Sequence, residues 1–522
     1  MIASSASPTR RTWVLLSLIL LTATALRVWH LGAQSFWLDE IFSLECSFGH
    51  NYGHLALPRN TVIDPVIAYT DLRDAKPWWA LPRSLDHDLH PPLAYLMIRS
   101  WCGVFGYSEA GVRSLSVVAS VTAIFIFFFV TQHLHGSAAA LWACLLMAIA
   151  QPQIEFAQEA KHYALLTLWS LATTWAILRA EALGITRRRL IIIFTLTLIS
   201  LFTHYYAVEA LGAMAVYITF RTKGRDRVQL LATLCAALLS FAIVWGPIIV
   251  RQQRNLGHDA DFLVEGHAGH LSRTLMRAAV IPTRLLHEPP PGWQGTAAAG
   301  AVVICLLPWL LIRRRRDLFL WAMWLPAIIL PTLLIDLLSG TWALFLMRYS
   351  LLAGPAVYAI LGSVGNQLRM ALLRHAIPAL AALSCLLAIP DAYHTSKTDW
   401  RNFGGYLGSH VAPGDVVVFA TEHEPIHEPT FYFLCASHYA GRLSNPVSLL
   451  NRPADAVLLH QLREYRRVWI VTDVSAPEQI LPGATYVEGR EFPLIGSIMR
   501  VTFADKAESS LGGTPERPDS AK

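Results

Sequence analysis

Apolar runs long enough to cross a bilayer recur along this chain and constrain its fold more than any other feature. A helical span needs about 20 apolar residues, within a range of about 17–25. Such runs lie near 12–31, 114–134, 138–155, 163–180, 228–250, 296–312, 318–338, 346–365 and 375–391. The run from Leu190 to Phe220 is too long for one span, and Thr203-His204-Tyr205-Tyr206 interrupts it. It reads as two short helices meeting at a polar turn, so the chain is expected to be a polytopic α-helical membrane protein of about eleven spans. Composition agrees: 54% of the 522 residues are hydrophobic and 15% are charged, whereas soluble domains carry roughly 25% charged residues.

The net charge of +6 resides mostly in short basic clusters between the apolar runs. Arg10-Arg11, Arg187-Arg188-Arg189, the Arg221-Lys223-Arg225-Arg227 group, Arg313 to Arg316 and the Arg369/Arg374 pair all fall on one side when the spans alternate from an inside N-terminus. Basic connections mark the cytoplasmic face. Scattered clusters of this kind exclude nucleic acid as a partner, which requires a continuous basic surface. The first apolar run has signal-peptide-like flanks, but the polytopic remainder predicts an uncleaved first helix.

Alternation also decides the apolar stretch Pro92 to Phe105. A span there would invert every later basic cluster, so it is expected to lie along the outer surface, inside a long outer loop 32–113, after the rigid Pro91-Pro92 break. The other large outer loop is 251–295, where Leu271 to Leu286 interleaves Arg273, Arg277 and Arg284 with apolar residues like an interfacial helix in contact with membrane lipids. Residues 1–392 thus form the membrane domain. After Pro390 the pattern changes: Asp399 to Val411 reads as helix, and Val416 to Phe419 and Val468 to Val471 read as buried strands. Residues 393–506 are expected to be a small extracytoplasmic α/β domain, and 507–522 a disordered tail.

The expected outer face collects the polar residues of the hydrophobic portion. It receives Asp39-Glu40, His90, Glu109 with Arg113, Gln158-Glu159-Ala160-Lys161-His162-Tyr163, His204-Tyr205-Tyr206 and Arg348-Tyr349. Carboxylates at the end of a span are costly and point to function, although Asp39 and Glu40 also fit as plain interfacial charges. Cys46, Cys102 and Cys435 fall in outer segments, where a disulfide is compatible with the surroundings. The run Glu422-His423-Glu424 with His427-Glu428 has metal-binding residue types without helical HExxH spacing and reads as an exposed loop.

Five segments in this order carry a resemblance: Phe36-Trp37-Leu38-Asp39-Glu40, His90-Pro91-Pro92-Leu93, Glu109 to Ser116, Gln158 to Leu166 and Met347 to Pro355. Over about residues 10–365 the chain resembles the GT-C glycosyltransferases of the protein O-mannosyltransferase and aminoarabinose transferase type. The resemblance implies a sugar donor carried on a polyprenyl phosphate and transfer at the extracytoplasmic face through an aspartate, here Asp39. Where relatives commonly carry Arg after Gln-Glu-Ala, this chain has Lys161, which keeps the charge and loses the bidentate fork.

A sugar phosphodiester has a competent leaving group, so one base and cations near the phosphate suffice. Asp39 is assigned as base, with Glu40 positioning it or binding the acceptor. One direct attack predicts inversion. Lys161, His162 and Arg348, with Tyr349 beside them, are the candidates to hold the phosphate. Ion pairing of Lys161, His162 or Arg348 with Glu155 or Glu159 at the interface is the plainer alternative. Glu109 and Arg113, four apart, suit a mutual ion pair. His90 suits either the Asp39 region or a cap of the loop helix, and Tyr163, His204 and Tyr205 suit the cavity wall. No cofactor is compelled, though a divalent metal on Asp39, Glu40 and His90 fits the residue types. The acceptor is left open among glycan, lipid and protein, and a transporter or flippase of lipid-linked sugar is the alternative function. A bacterial inner membrane is the expected location.

Overall fold

In the computed structural model the chain divides into two units, one of Met1–Gln34 with Trp78–Ser396 and one of Ser35–Pro77 with Lys397–Lys522. The structure describes residues 8–255, 270–289, 318–364, 371–394, 397–421, 428–441, 443–473, 479–493 and 495–503, with a few positions between 292 and 304. The expected span 296–312, the arginines 313–316, Arg369, the 422–427 part of the acidic-histidine run and the tail 507–522 lie outside the described residues.

The first unit is helical. Five of its described helices are long and apolar enough to cross a membrane: Arg10–Val28, Glu109–His135, Gly224–Asn255, Phe319–Ser339 and Arg374–His394. A sixth joins them if Ser137–Ile149 and Gln151–Gln158, bent by 65°, form one broken span. The sequence expectation of about eleven spans counted shorter pieces as well. Helices Arg187–Thr203 and Ala207–Arg221 are short because the chain breaks at His204 to Tyr206, where the polar turn was expected. Helix Tyr163–Leu183 has the length, but buried Thr167, Ser170, Thr173 and Thr174 lower its apolarity.

Local signals set the helix ends. Ser108 caps Glu109–His135 by accepting from the Gly111 amide, and Gly136, with φ of 86°, ends it in a conformation glycine tolerates. Arg27 is fully buried near the end of Arg10–Val28. It donates to Ser120 Oγ at 2.8 Å, to Ala148 O at 2.8 Å and to Met147 O at 3.0 Å. The last two are carbonyls of the final turn of Ser137–Ile149, which have no partner within their own helix. One guanidinium thereby fastens three helices.

The second unit is built on a six-stranded sheet. Its strands are β1 (Val62–Ile63), β2 (Val416–Ala420), β3 (Val447–Leu450), β4 (Val468–Thr472), β5 (Ala484–Phe492) and β6 (Gly496–Phe503), in the spatial order β1-β3-β2-β4-β6-β5. The central strands β3, β2 and β4 are parallel and the outer ones antiparallel. Every residue of β2 and β4 is buried, as their unbroken apolar runs require. Helices Trp400–His410 and Pro429–Tyr439 pack so closely that a Cβ at Gly408 would stand 2.4 Å from the Ala440 carbonyl oxygen. Gly408→Ala is therefore expected to lower stability by about 1–3 kcal/mol, read as an earlier unfolding transition of the full-length protein. The exposed neighbour Gly405, with nothing near its Cβ position, is the control.

The division differs from the expected boundary at 392. Residues 35–77 leave the first outer loop and join the C-terminal unit, where β1 pairs antiparallel with β3. Ser35 Oγ donates to Thr398 O at 2.6 Å and the Phe36 amide to Tyr439 Oη at 2.6 Å. The Phe42 ring meets Phe431 at 5.4 Å. Cys46, Cys102 and Cys435 are buried thiols outside any disulfide, which corrects the disulfide expectation: they serve as small packing residues.

Candidate active site

Asp39 lies in the first turn of helix Leu38–Ser47 in the second unit, half-buried, and its backbone oxygen accepts from Ser43 Oγ at 2.9 Å. Helix N-termini favour carboxylates, which accounts for two in succession here. Glu40 is fully buried. Its Oε2 accepts from the Trp37 amide at 3.3 Å and from Lys397 Nζ at 3.1 Å. The Glu40 side chain thus closes the capping box of the helix that carries Asp39.

In the first unit a buried polar cluster forms where three separate turns meet. The Asp88-to-Pro92 turn brings His90, the turn before Tyr163–Leu183 brings Lys161 and His162, and the break after Thr203 brings His204. Ring centroids are 4.5 Å apart for His90 and His162, 5.0 Å for His90 and His204, and 6.0 Å for His162 and His204. His90 Nδ1 pairs with Asp88 Oδ1 at 3.3 Å. The tyrosine hydroxyl of Tyr95 is 3.4 Å from the same nitrogen, and its ring stands edge-on to His162 at 4.8 Å. Both nitrogens of the fully buried His162 have no hydrogen-bond partner among the described residues.

Electrostatics divide the cluster. Burial, reinforced by the nearby His90 and Lys161 charges, holds His162 and His204 well below the ordinary histidine range, so both rings are neutral. Burial pushes the Asp88 carboxyl up, but His90, Tyr95 and Lys161 together outweigh it and hold the group below its ordinary value.

Ring contacts extend the cluster to further residues. His204 lies 4.9 Å from Tyr206, which lies 5.6 Å from Tyr349, over whose ring the Arg348 guanidinium sits at 5.3 Å. Tyr163 stands 6.1 Å from His204. Of the residues singled out from the sequence, His90, Lys161, His162, Tyr163, His204, Arg348 and Tyr349 are brought together in this unit. Tyr205 turns aside: its hydroxyl donates to Gln252 Oε1 at 2.5 Å and accepts from Trp245 Nε1 at 2.9 Å. Buried Arg113 donates to the carbonyls of Leu31, at 3.0 Å, and Gln34, at 2.8 Å, and so ties down the end of the first helix. Glu109 stands in the first turn of the same helix as Arg113. The Glu159 carbonyl accepts from Ser116 Oγ at 2.6 Å. Tyr206, expected on the same face, joins the cluster, whereas sequence reasoning assigned no site role to Asp88, Tyr95 or Gln252, which donates to Leu85 O at 2.6 Å beneath the His90 turn. The Asp88-Leu89-His90 spacing was the available signal.

The helical unit that holds this cluster overlaps a segment similar to a known family. Residues 89–249 match the sequence model of the family described as dolichyl-phosphate-mannose-protein mannosyltransferase. The fold is that of the GT-C membrane enzymes, in a chain with several helices long and apolar enough to cross a membrane.

Among particular proteins, ArnT from Cupriavidus metallidurans bound to undecaprenyl phosphate is similar at a TM-score of 0.57 and 12% identity, over 95% of this chain and 99% of that one. The Archaeoglobus fulgidus oligosaccharyltransferase in its apo form is similar at a TM-score of 0.49 and 11% identity, over 88% of this chain and 69% of that one. No curated protein matches the chain in sequence.

Proposed function

We propose that the protein transfers a sugar from a polyprenyl-phosphate donor to an extracytoplasmic acceptor, with inversion at the anomeric carbon. The observation that carries this reading is the cluster of half-buried His90 with buried Lys161, His162 and His204 inside the segment that matches the mannosyltransferase family. The fold shared with a protein that binds undecaprenyl phosphate supports it.

Asp39 takes the proton from the acceptor hydroxyl or amine as the acceptor atom bonds to the anomeric carbon. The bond from that carbon to the phosphate oxygen breaks, and the polyprenyl phosphate leaves with the electron pair. Lys161 and Arg348 offset the developing phosphate charge. Tyr349 fixes the Arg348 plane by stacking. Glu40 positions the helix that carries Asp39.

The test uses purified full-length protein in detergent, with polyprenyl-phosphate sugars and an envelope-glycan extract as acceptor. Release of polyprenyl phosphate and formation of a glycosylated acceptor are expected. A transporter or flippase produces neither without a membrane, so intact donor after incubation would overturn the proposal.

A further inference from the structure

We propose that His90, His162 and His204 together bind a divalent transition metal, zinc by preference, and leave one coordination position open. One ligand atom from each of the three residues lies within 4.8 Å of the others. Zinc holds imidazole nitrogens at about 2.0–2.1 Å in tetrahedral geometry, so small turns of the rings close the set around an ion. Three histidines with a vacant fourth position is the ligand count of a reactive rather than a structural zinc.

Each ring contributes its own observation. His162 is fully buried with both nitrogens lacking a hydrogen-bond partner among the described residues. A buried imidazole in that condition loses its water and gains nothing, unless something binds there. His90 is set up differently. With Nδ1–H donating to Asp88 at 3.3 Å, its Nε2 presents a lone pair, the arrangement in which a carboxylate orients a metal-bound histidine. His204 Nδ1 accepts from the Tyr206 amide at 3.1 Å, so this ring must turn or release that bond, which makes it the weakest ligand.

The sequence alone had associated His90 with Asp39 for a metal; the structure groups it with two histidines from its own unit. Imidazole ligands bring no charge to the ion and leave it its full double charge. Asp88 lies on one side of the cluster to offset it, and Lys161 adds positive charge nearby. A cluster of this sign accepts a phosphate oxygen at the open position. That last assignment rests on the proposed reaction; metal binding itself does not.

The experiment strips the full-length protein in detergent with a chelator and titrates it with zinc alone by calorimetry, counting bound metal by mass spectrometry. Cobalt serves as the spectroscopic probe. One tightly bound zinc per chain is expected, with His162→Ala and His90→Ala each weakening it at least about 100-fold and Asp88→Asn about 10–100-fold. His204→Gln is expected to remove the tetrahedral cobalt bands without moving the unfolding temperature of the metal-free protein, which separates ligand loss from misfolding. Absence of zinc binding in the parent protein, or equal affinity in all variants, overturns the site. Zinc binding without sugar transfer overturns the proposed reaction alone, and transfer without zinc binding overturns the metal alone.

Discussion

Asp39→Asn is expected to lower kcat for sugar transfer by about 10²–10⁴-fold, the range a positioned general base contributes. The amide keeps the shape of the side chain and cannot take a proton from the acceptor. Asp39 is half-buried, and its backbone oxygen, which the substitution does not touch, holds the Ser43 hydroxyl at 2.9 Å. The helix should therefore form as before, with the unfolding temperature lowered only slightly by the loss of one charge at the helix N-terminus. Because the interaction is made only in the transition state, kcat and kcat/KM should fall together and the KM for donor lipid stay level. Single-turnover release of polyprenyl phosphate reads the chemical step directly. Retention of full activity would remove Asp39 from the chemistry. A rise in KM alone would make it a binding group.

The two halves of this proposal were legible to different degrees. Span length alone yielded most of the helical unit, because the bilayer imposes a minimum run on any crossing helix. The polar interruption at His204 to Tyr206 was visible for the same reason, and the structure breaks the chain there. Strands β2 and β4 announced themselves as continuous apolar runs. The association of residues 35–77 with the C-terminal unit did not. Its sheet contribution is the two-residue β1, too short for any periodicity. The tie from Glu40 to Lys397 spans 357 residues. The histidine cluster was equally hidden: each ring was flagged separately, but their meeting depends on how three turns pack. The Asp88 partner of His90 was present in the sequence only as a spacing of two, and their pairing depends on how the turn folds. Family resemblance supplied Asp39, which lies outside the matched segment 89–249, so the base and the cluster rest on independent grounds.

Lys397→Met is expected to destabilise the C-terminal unit by about 3–5 kcal/mol, the cost of breaking a buried pair from one side. Glu40 has no exposure, and Lys397 keeps only 18% of its side chain in solvent, so screening by water is slight at the carboxylate. The Trp37 amide, at 3.3 Å, is a weak substitute for the ammonium at 3.1 Å. Met preserves much of the length and apolar stem of Lys, which confines the change to the charge. The reciprocal variant Glu40→Gln should cost less, since an amide left in that position still accepts from Trp37 and the flexible Lys397 ammonium can turn toward solvent. The double variant Glu40→Gln/Lys397→Met should recover most of the loss, because no unpaired charge is then buried. Thermal unfolding of the full-length protein measures all three. Additive losses would show that the pair is not coupled, and would leave the helix carrying Asp39 to be held by Phe36, Phe42 and the Tyr439 hydroxyl alone. Coupling would mean that the helix presenting the proposed base is fixed by an ion pair from the other end of the chain, so the variant's transfer rate should recover with its stability in the double variant.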